Sequence, residues 1–136
     1  MKLSDIKPIP ALKSVLTAAG VTEIIYEGSK PTVAIPVSFI EIIQNGSYKS
    51  SVSQMGIIEG VLLLSVNVQL IKATDTINTV KEDIILKTFD SLFENSKMVT
   101  SGNYHFSLDN SNLVYSGRGI SEGYSTRIIN ILVKIY

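Results

Sequence analysis

The sequence predicts an α+β fold: a mainly antiparallel, twisted sheet with two helices packed on one face and long loops between strands. Three observations predict it. Two segments carry apolar residues at i, i+3, i+4 and i+7, the spacing of one helix face. Other segments alternate apolar and polar residues at strand length. The elements run helix, strands, helix, strands, and the strands are consecutive, as in hairpins. With 136 residues, 45% of them hydrophobic, the chain reads as one domain over 1–136 and can bury about two-thirds of its unfolded surface.

The first helix is expected from Pro10 to Gly20. Proline suits the first helical position, where an N–H has no partner inside the helix. Leu12, Val15, Leu16 and Ala19 form its stripe, and Gly20 can take the left-handed conformation that ends a helix. A short strand is expected from Glu23 to Tyr26, then a turn at Glu27-Gly28-Ser29-Lys30-Pro31. Thr32 to Gln44 alternates, with Val33, Ile35, Val37 and Phe39 on one side. Pro36 cannot donate to a ladder and argues for an edge or a bulge. Ile40 to Ile43 is apolar on both sides, as if a neighbouring subunit covered it.

Asn45 to Gly60 is rich in Ser, Gly, Asn and Gln. It predicts either a long loop or two strands reaching past the body of the sheet. Asn45-Gly46-Ser47 matches a glycosylation acceptor, but Asn-Gly is foremost a turn signal. Val61 to Ile71 is the strongest strand. Leu62, Leu64, Val66, Val68 and Leu70 face the core, and the other side, with Ser65, Asn67 and Gln69, reads as half solvated. Asp75 is expected to cap a second helix from Thr76 to Glu94. Ile77, Val80, Ile84, Ile85, Thr88 and Leu92 make its stripe, flanked by Phe89 and Phe93. Glu82 and the other charges fall mostly outside it. In Asn95 to Gly123, weak strands are expected at Tyr104–Leu108 and Leu113–Ser116. The final strand, Tyr124 to Tyr136, is regular enough to sit inside the sheet.

Composition removes several chemistries. There is no cysteine, which excludes thiolate nucleophiles, disulfides and cysteine-ligated metals. The single histidine, His105, excludes any site needing two imidazoles. It lies on a weak strand, where a surface imidazole needs no catalytic role. Glu82 and Asp83 point about 100° apart on a helix and do not converge on one ion. Gly117-Arg118-Gly119 lacks the spacing of a phosphate loop and reads as a mobile loop with Arg118 at its tip. The formal net charge is +0, so no global field steers the chain toward nucleic acid or anionic lipid. The start of the chain is broken by charge and proline, unlike a signal peptide. The run Val61–Ile71 is well short of the ~20 apolar residues of a spanning helix. A soluble intracellular protein is expected.

The layout resembles the tail terminator, or tail completion, proteins of long-tailed phages and their related neck and minor tail proteins. The matching pieces are Leu12 to Ala19, Thr32 to Gln44, Val61 to Ile71, Thr76 to Glu94 and Ser125 to Val133. The similarity spans nearly the whole chain and rests on element order and apolar pattern. It implies a virion structural protein, not an enzyme. Such subunits form a ring, expected to be hexameric, that caps the tail tube, joins it to the neck and lets DNA pass its lumen without specific binding. A ring needs two different contact faces on each subunit. Expected subunit or partner contacts are Ile40, Ile42, Tyr48, Lys49, Met55, Arg118 and Tyr124. No catalytic residue, cofactor, metal or membrane partner is expected.

Two other readings stay open. One is a small α+β enzyme or ligand-binding domain with a pocket between helices and sheet. The other is a nucleic-acid-binding domain of the double-stranded-RNA type. The latter needs a cluster of cations at the start of its last helix, where this chain reads Lys81-Glu82-Asp83.

Overall fold

Helix α1 (Pro8–Ala18) opens with Pro8 in its first turn, two residues before the expected proline. It ends as the sequence requires. Gly20 has φ +102°, Gly20 N donates to Thr17 O at 3.2 Å and Val21 N to Leu16 O at 3.1 Å. This paired closure satisfies carbonyls that the helix leaves open and folds Val21 back against the core. The computed structural model describes residues 5–28, 37–50, 56–71, 73–74, 76–94, 98–108, 117–121 and 123–136, with backbone alone for 117–121. The expected alternation at Thr32–Pro36, the Asp75 cap, Met55 and the Leu113–Ser116 strand lie outside them.

The strands are β1 (Ile24–Glu27), β2 (Ser38–Ser50), β3 (Ile58–Gln69), β4 (Val99–Ser101), β5 (Tyr104–Leu108), β6 (Gly117–Ser121) and β7 (Tyr124–Ile135), with helix α2 (Thr79–Leu92) between β3 and β4. They form one sheet in the order β1-β2-β3-β7-β5-β4. Only β1 and β2 pair in parallel; every other pairing is antiparallel. β7 is internal, as expected of so regular a terminal strand. Its outer side is shared: β5 pairs with residues 131–135 and β6 with residues 124–128. Arg118, expected at the tip of a mobile loop, therefore lies in a paired strand, opposite Arg127.

Asn45 to Gly60 takes the second of its two expected forms, with β2 and β3 running on past the body of the sheet. A bulge interrupts them: Asn45 pairs with Val61 and Lys49 with Glu59, so β2 carries two extra residues. Gly46 supplies φ +83° at the bulge. The Asn-Gly signal thus makes a bulge inside a hairpin, not its turn. Tyr48 folds back over Gly60, where a Cβ would overlap its ring.

Antiparallel partners share a face, so the register sorts the side chains. The first face holds Ile40, Ile42, Leu62, Leu64, Val66, Val68, Phe106, Ile131, Val133 and Ile135. These join Leu12 and Leu16 of α1, and Ile85 and Phe89 of α2, in one buried core. Each fully buried side chain of this size is worth roughly 1.5–3 kcal/mol against exposure. Ile40 and Ile42 are fully covered by their own chain, which corrects their assignment as subunit contacts. The apolar excess at Ile40–Ile43 is core on one face and the half-buried Ile43 on the other.

Helix α2 also departs from expectation. Asn78 caps it, its Oδ1 accepting from Lys81 N at 3.2 Å. Thr76 cannot begin the helix because its carbonyl is held by Ile71 N at 2.9 Å. The buried line is Glu82, Ile85, Phe89 and Phe93, while Val80 and Ile84 are 71% and 63% exposed. The observed face is turned about 100°, one residue step, from the expected stripe. Two phenylalanines carry more apolar area than Val80 and Ile84, and they take the inside.

G60A should destabilise the fold by about 1–3 kcal/mol, because Tyr48 must leave its seat. The urea midpoint measures this. In a Y48A background the same substitution should cost less.

Candidate functional site

Three groups of side chains carry the polar chemistry of the described residues. The first sits under the start of α2. Glu82, only 1% exposed, receives a hydrogen bond from Ser125 Oγ at 3.0 Å on Oε2. Its Oε1 receives one from Arg127 Nε at 3.0 Å. Arg127 keeps 16% of its side chain in solvent. Ser125 and Arg127 alternate with Thr126 on β7, so both reach the helix side. Charge-assisted bonds of this kind are shorter and stronger than neutral ones. Sequence reading put Glu82 in water; the structure puts it inside.

The second group lies on the other face, at the same end of the sheet. Thr126 Oγ1 donates to Asn67 Oδ1 at 2.7 Å, and Asn67 Nδ2 donates to Ser65 Oγ at 3.2 Å. Ser65 and Asn67 are buried, not half solvated as expected. Phe39 stands opposite Asn67 and meets Tyr26 and Tyr124 edge-on at 5.7 and 5.5 Å. Tyr124, an expected partner contact, is thus buried within its own chain, and burial pushes its phenol pKa above 10.0.

The third group surrounds the bulge. Tyr48 is half-buried over Gly60, and Lys49 is exposed next to it. Burial first, and the nearby Tyr104 second, push the Tyr48 phenol from 10.0 up to about 12. The Tyr104 hydroxyl accepts from Lys7 N at 2.8 Å and donates to Asp5 O at 2.7 Å, tying the segment before α1 to β5. On the second face, a hollow of about 300 Å³ is lined by Asn45, Lys49, Glu59, Val61 and Leu132, among others.

His105 is half-buried, with the Tyr136 ring 4.2 Å away and edge-on. No group of three His, Asp or Glu side chains gathers among the described residues in a way that would hold a metal ion. The hollow between Ala19 and the α2 residues Lys87, Thr88, Ser91 and Leu92 does not touch His105, Glu82 or Arg127. The buried ion pair joins α2 to β7.

Among the described residues, apolar side chains also gather on two surfaces. One is the outer side of α2, with Val80 and Ile84. The other is the middle of the second sheet face, where Ile43, Val61, Leu63, Ile128 and Leu132 are half-buried around Asn130. The sequence assigns the first inward; of the second it marks only the stretch Ile40–Ile43 as a subunit contact and reads the β3 side as half solvated. No helix among the described residues is long and apolar enough to cross a membrane.

R127M should cost about 3–5 kcal/mol in urea denaturation, because it breaks the ion pair of a buried carboxylate. E82L/R127M, which removes both charges, should recover most of that loss. The tyrosines predict an alkaline limit. Their folded-state pKa values lie above the unfolded value, so their contribution is complete below about pH 10 and is lost as pH rises toward 12. Denaturation midpoints should fall across that window, less steeply in Y48F and least in Y48F/Y124F.

No protein-family model matches the chain, and no curated protein matches it.

Proposed function

We propose that the chain is a structural virion protein of a tailed phage, similar to a tail terminator. Its copies join head to tail into a ring, hexameric by the resemblance, that caps the tail tube and joins it to the neck. It does its work in the virion tail, after assembly in the host cytoplasm, and catalyses no reaction. Both helices pack on the first sheet face; the single core shared by Leu12, Leu16, Ile85 and Phe89 supports this.

The observation that carries the reading is the pair of apolar surfaces on opposite sides of the subunit. Glu82 and Phe89 point from α2 into the sheet, and Val80 and Ile84 lie roughly 160° around the helix from Glu82. The second sheet face looks the other way. Two different contact surfaces on opposite sides make a heterologous contact, which closes into a ring by rotation. Charge supports the same pairing. The register lines up Lys49, Glu59 and Lys134 across three strands of the second face. Along α2, Asp83, Lys87 and Asp90 are exposed beside Val80 and Ile84, with the opposite order of signs. Spacings of about 4.8 Å between strands and about 4.5–6 Å along the helix bring the two rows close to register.

Sedimentation and electron microscopy, with and without phage tail tubes, test this. The wild type should form rings at high concentration or on tube ends. I84K and L132K should each remain single, since each lacks one of the two surfaces. Mixed in equal amounts, they should form a dimer and stop there, because the only intact pair of surfaces is then used. A wild type with no affinity for tubes and no self-association, or variants that assemble unaided, would overturn the reading.

A further inference from the structure

Glu82 is the one charged side chain among the described residues that is wholly buried. It sits in the first turn of α2, on the line that otherwise reads Ile85, Phe89 and Phe93. The two halves of this helix ask for different rotations. From Ile85 onward the apolar weight lies on the observed inner side. In the first turns it lies with Val80 and Ile84, and the inner position is a carboxylate. Apolar burial is non-directional and would be served by turning Val80 and Ile84 toward the sheet. The ion pair is directional. Only the observed rotation sets Glu82 against both Ser125 Oγ and Arg127 Nε.

We infer that Glu82, Arg127 and Ser125 form a registration pin that holds the first turns of α2 in phase with the rest and keeps Val80 and Ile84 facing outward. Without Arg127, the buried carboxylate loses the charge-assisted bond on its Oε1. The least costly relief is a partial turn of the helix start that carries Glu82 to water and Ile84 toward the sheet. Glu82, Arg127 and Ser125 are thus positioning residues, and what they position is a surface. Setting the registry is the best-attested use of buried ionic groups. The outward position of Val80 and Ile84 matters for assembly only if the proposed ring is right. The pin itself is read without it.

The absence of cysteine makes the test clean, since any introduced thiol is the sole one. I84C reports the outer side of α2 and I85C the inner side, each by its rate of maleimide labelling in folded protein. In the otherwise wild-type chain I84C should label fast and I85C slowly. Adding R127M should slow I84C and speed I85C, each by about tenfold, the sign of a shift between two helix rotations. Adding E82L/R127M should restore the original rates, because a leucine at the inner position has no reason to leave. Should R127M fail to fold, S125A removes one donor, leaves the cation, and should move both rates in the same directions by about threefold. Unchanged rates in the folded R127M or S125A background would overturn the pin. So would faster I85C labelling without slower I84C labelling, which is fraying and not rotation. Labelling is done on dilute monomer. Failed ring assembly with intact rate shifts, and intact assembly without them, are therefore distinct results.

Discussion

All twelve residues of β3 pair with the twelve of β7 without a break, and most of the molecule is arranged by that register. It lays Leu62, Leu64, Val66 and Val68 beside Ile131, Ile129, Arg127 and Ser125 on the helix side. A slip of one residue would turn every one of these to the other face. Ser125 and Arg127 would then point away from α2, and Glu82 would lose both of these donors. The ion pair and the ladder thus check each other. The hydrophobic pattern favours the register, and the buried carboxylate penalises its neighbours. Core packing alone tolerates near misses; a buried charge does not.

The elements that could be read from the chain are those whose cause is local. Gly20 ends α1 because a left-handed residue is needed there, and that need is visible in the sequence. The strand core around Leu62–Val68 and the terminal strand follow from alternation alone. The errors lie where the cause is distant. Glu82 looks like a solvated helix charge until Arg127, forty-five positions along the chain, is brought beneath it. Ile40 and Ile42 look surplus until they close into one core with side chains from distant parts of the chain. β4 is the local exception: only Gly102-Asn103 separates it from β5, a short hairpin signal that the sequence carries. Tyr48 was legible as an unusual aromatic in a polar stretch, but its seat over Gly60 arises from a bulge that no local pattern announces. The two apolar surfaces were the least legible part. A sequence shows that a residue is apolar, and only the packing decides which apolar residues are left over.

Which residues are left over bears on how copies can meet. An isologous contact through the second sheet face would place that face against itself. With a twofold axis near Glu59, the middle of the row Lys49-Glu59-Lys134, each Glu59 would approach its own copy. Like charges set against each other at a contact cost several kcal/mol and suppress that pairing. The Lys134–Glu59 contact, at 3.9 Å and about a third exposed on both sides, is too loose to neutralise the row within the subunit. The outer side of α2 gives the same answer, since Asp83, Lys87 and Asp90 would meet their own signs across a twofold axis through Lys87. In the proposed ring each row of charge would meet its opposite on the neighbouring subunit, which favours the head-to-tail contact over a twofold pairing centred on Glu59 or on Lys87. In that proposed contact the apolar residues beside each row would supply the adhesion and the charges the choice of partner. That division of labour would require Val80 and Ile84 to stay outside, on the helix side opposite the buried Glu82.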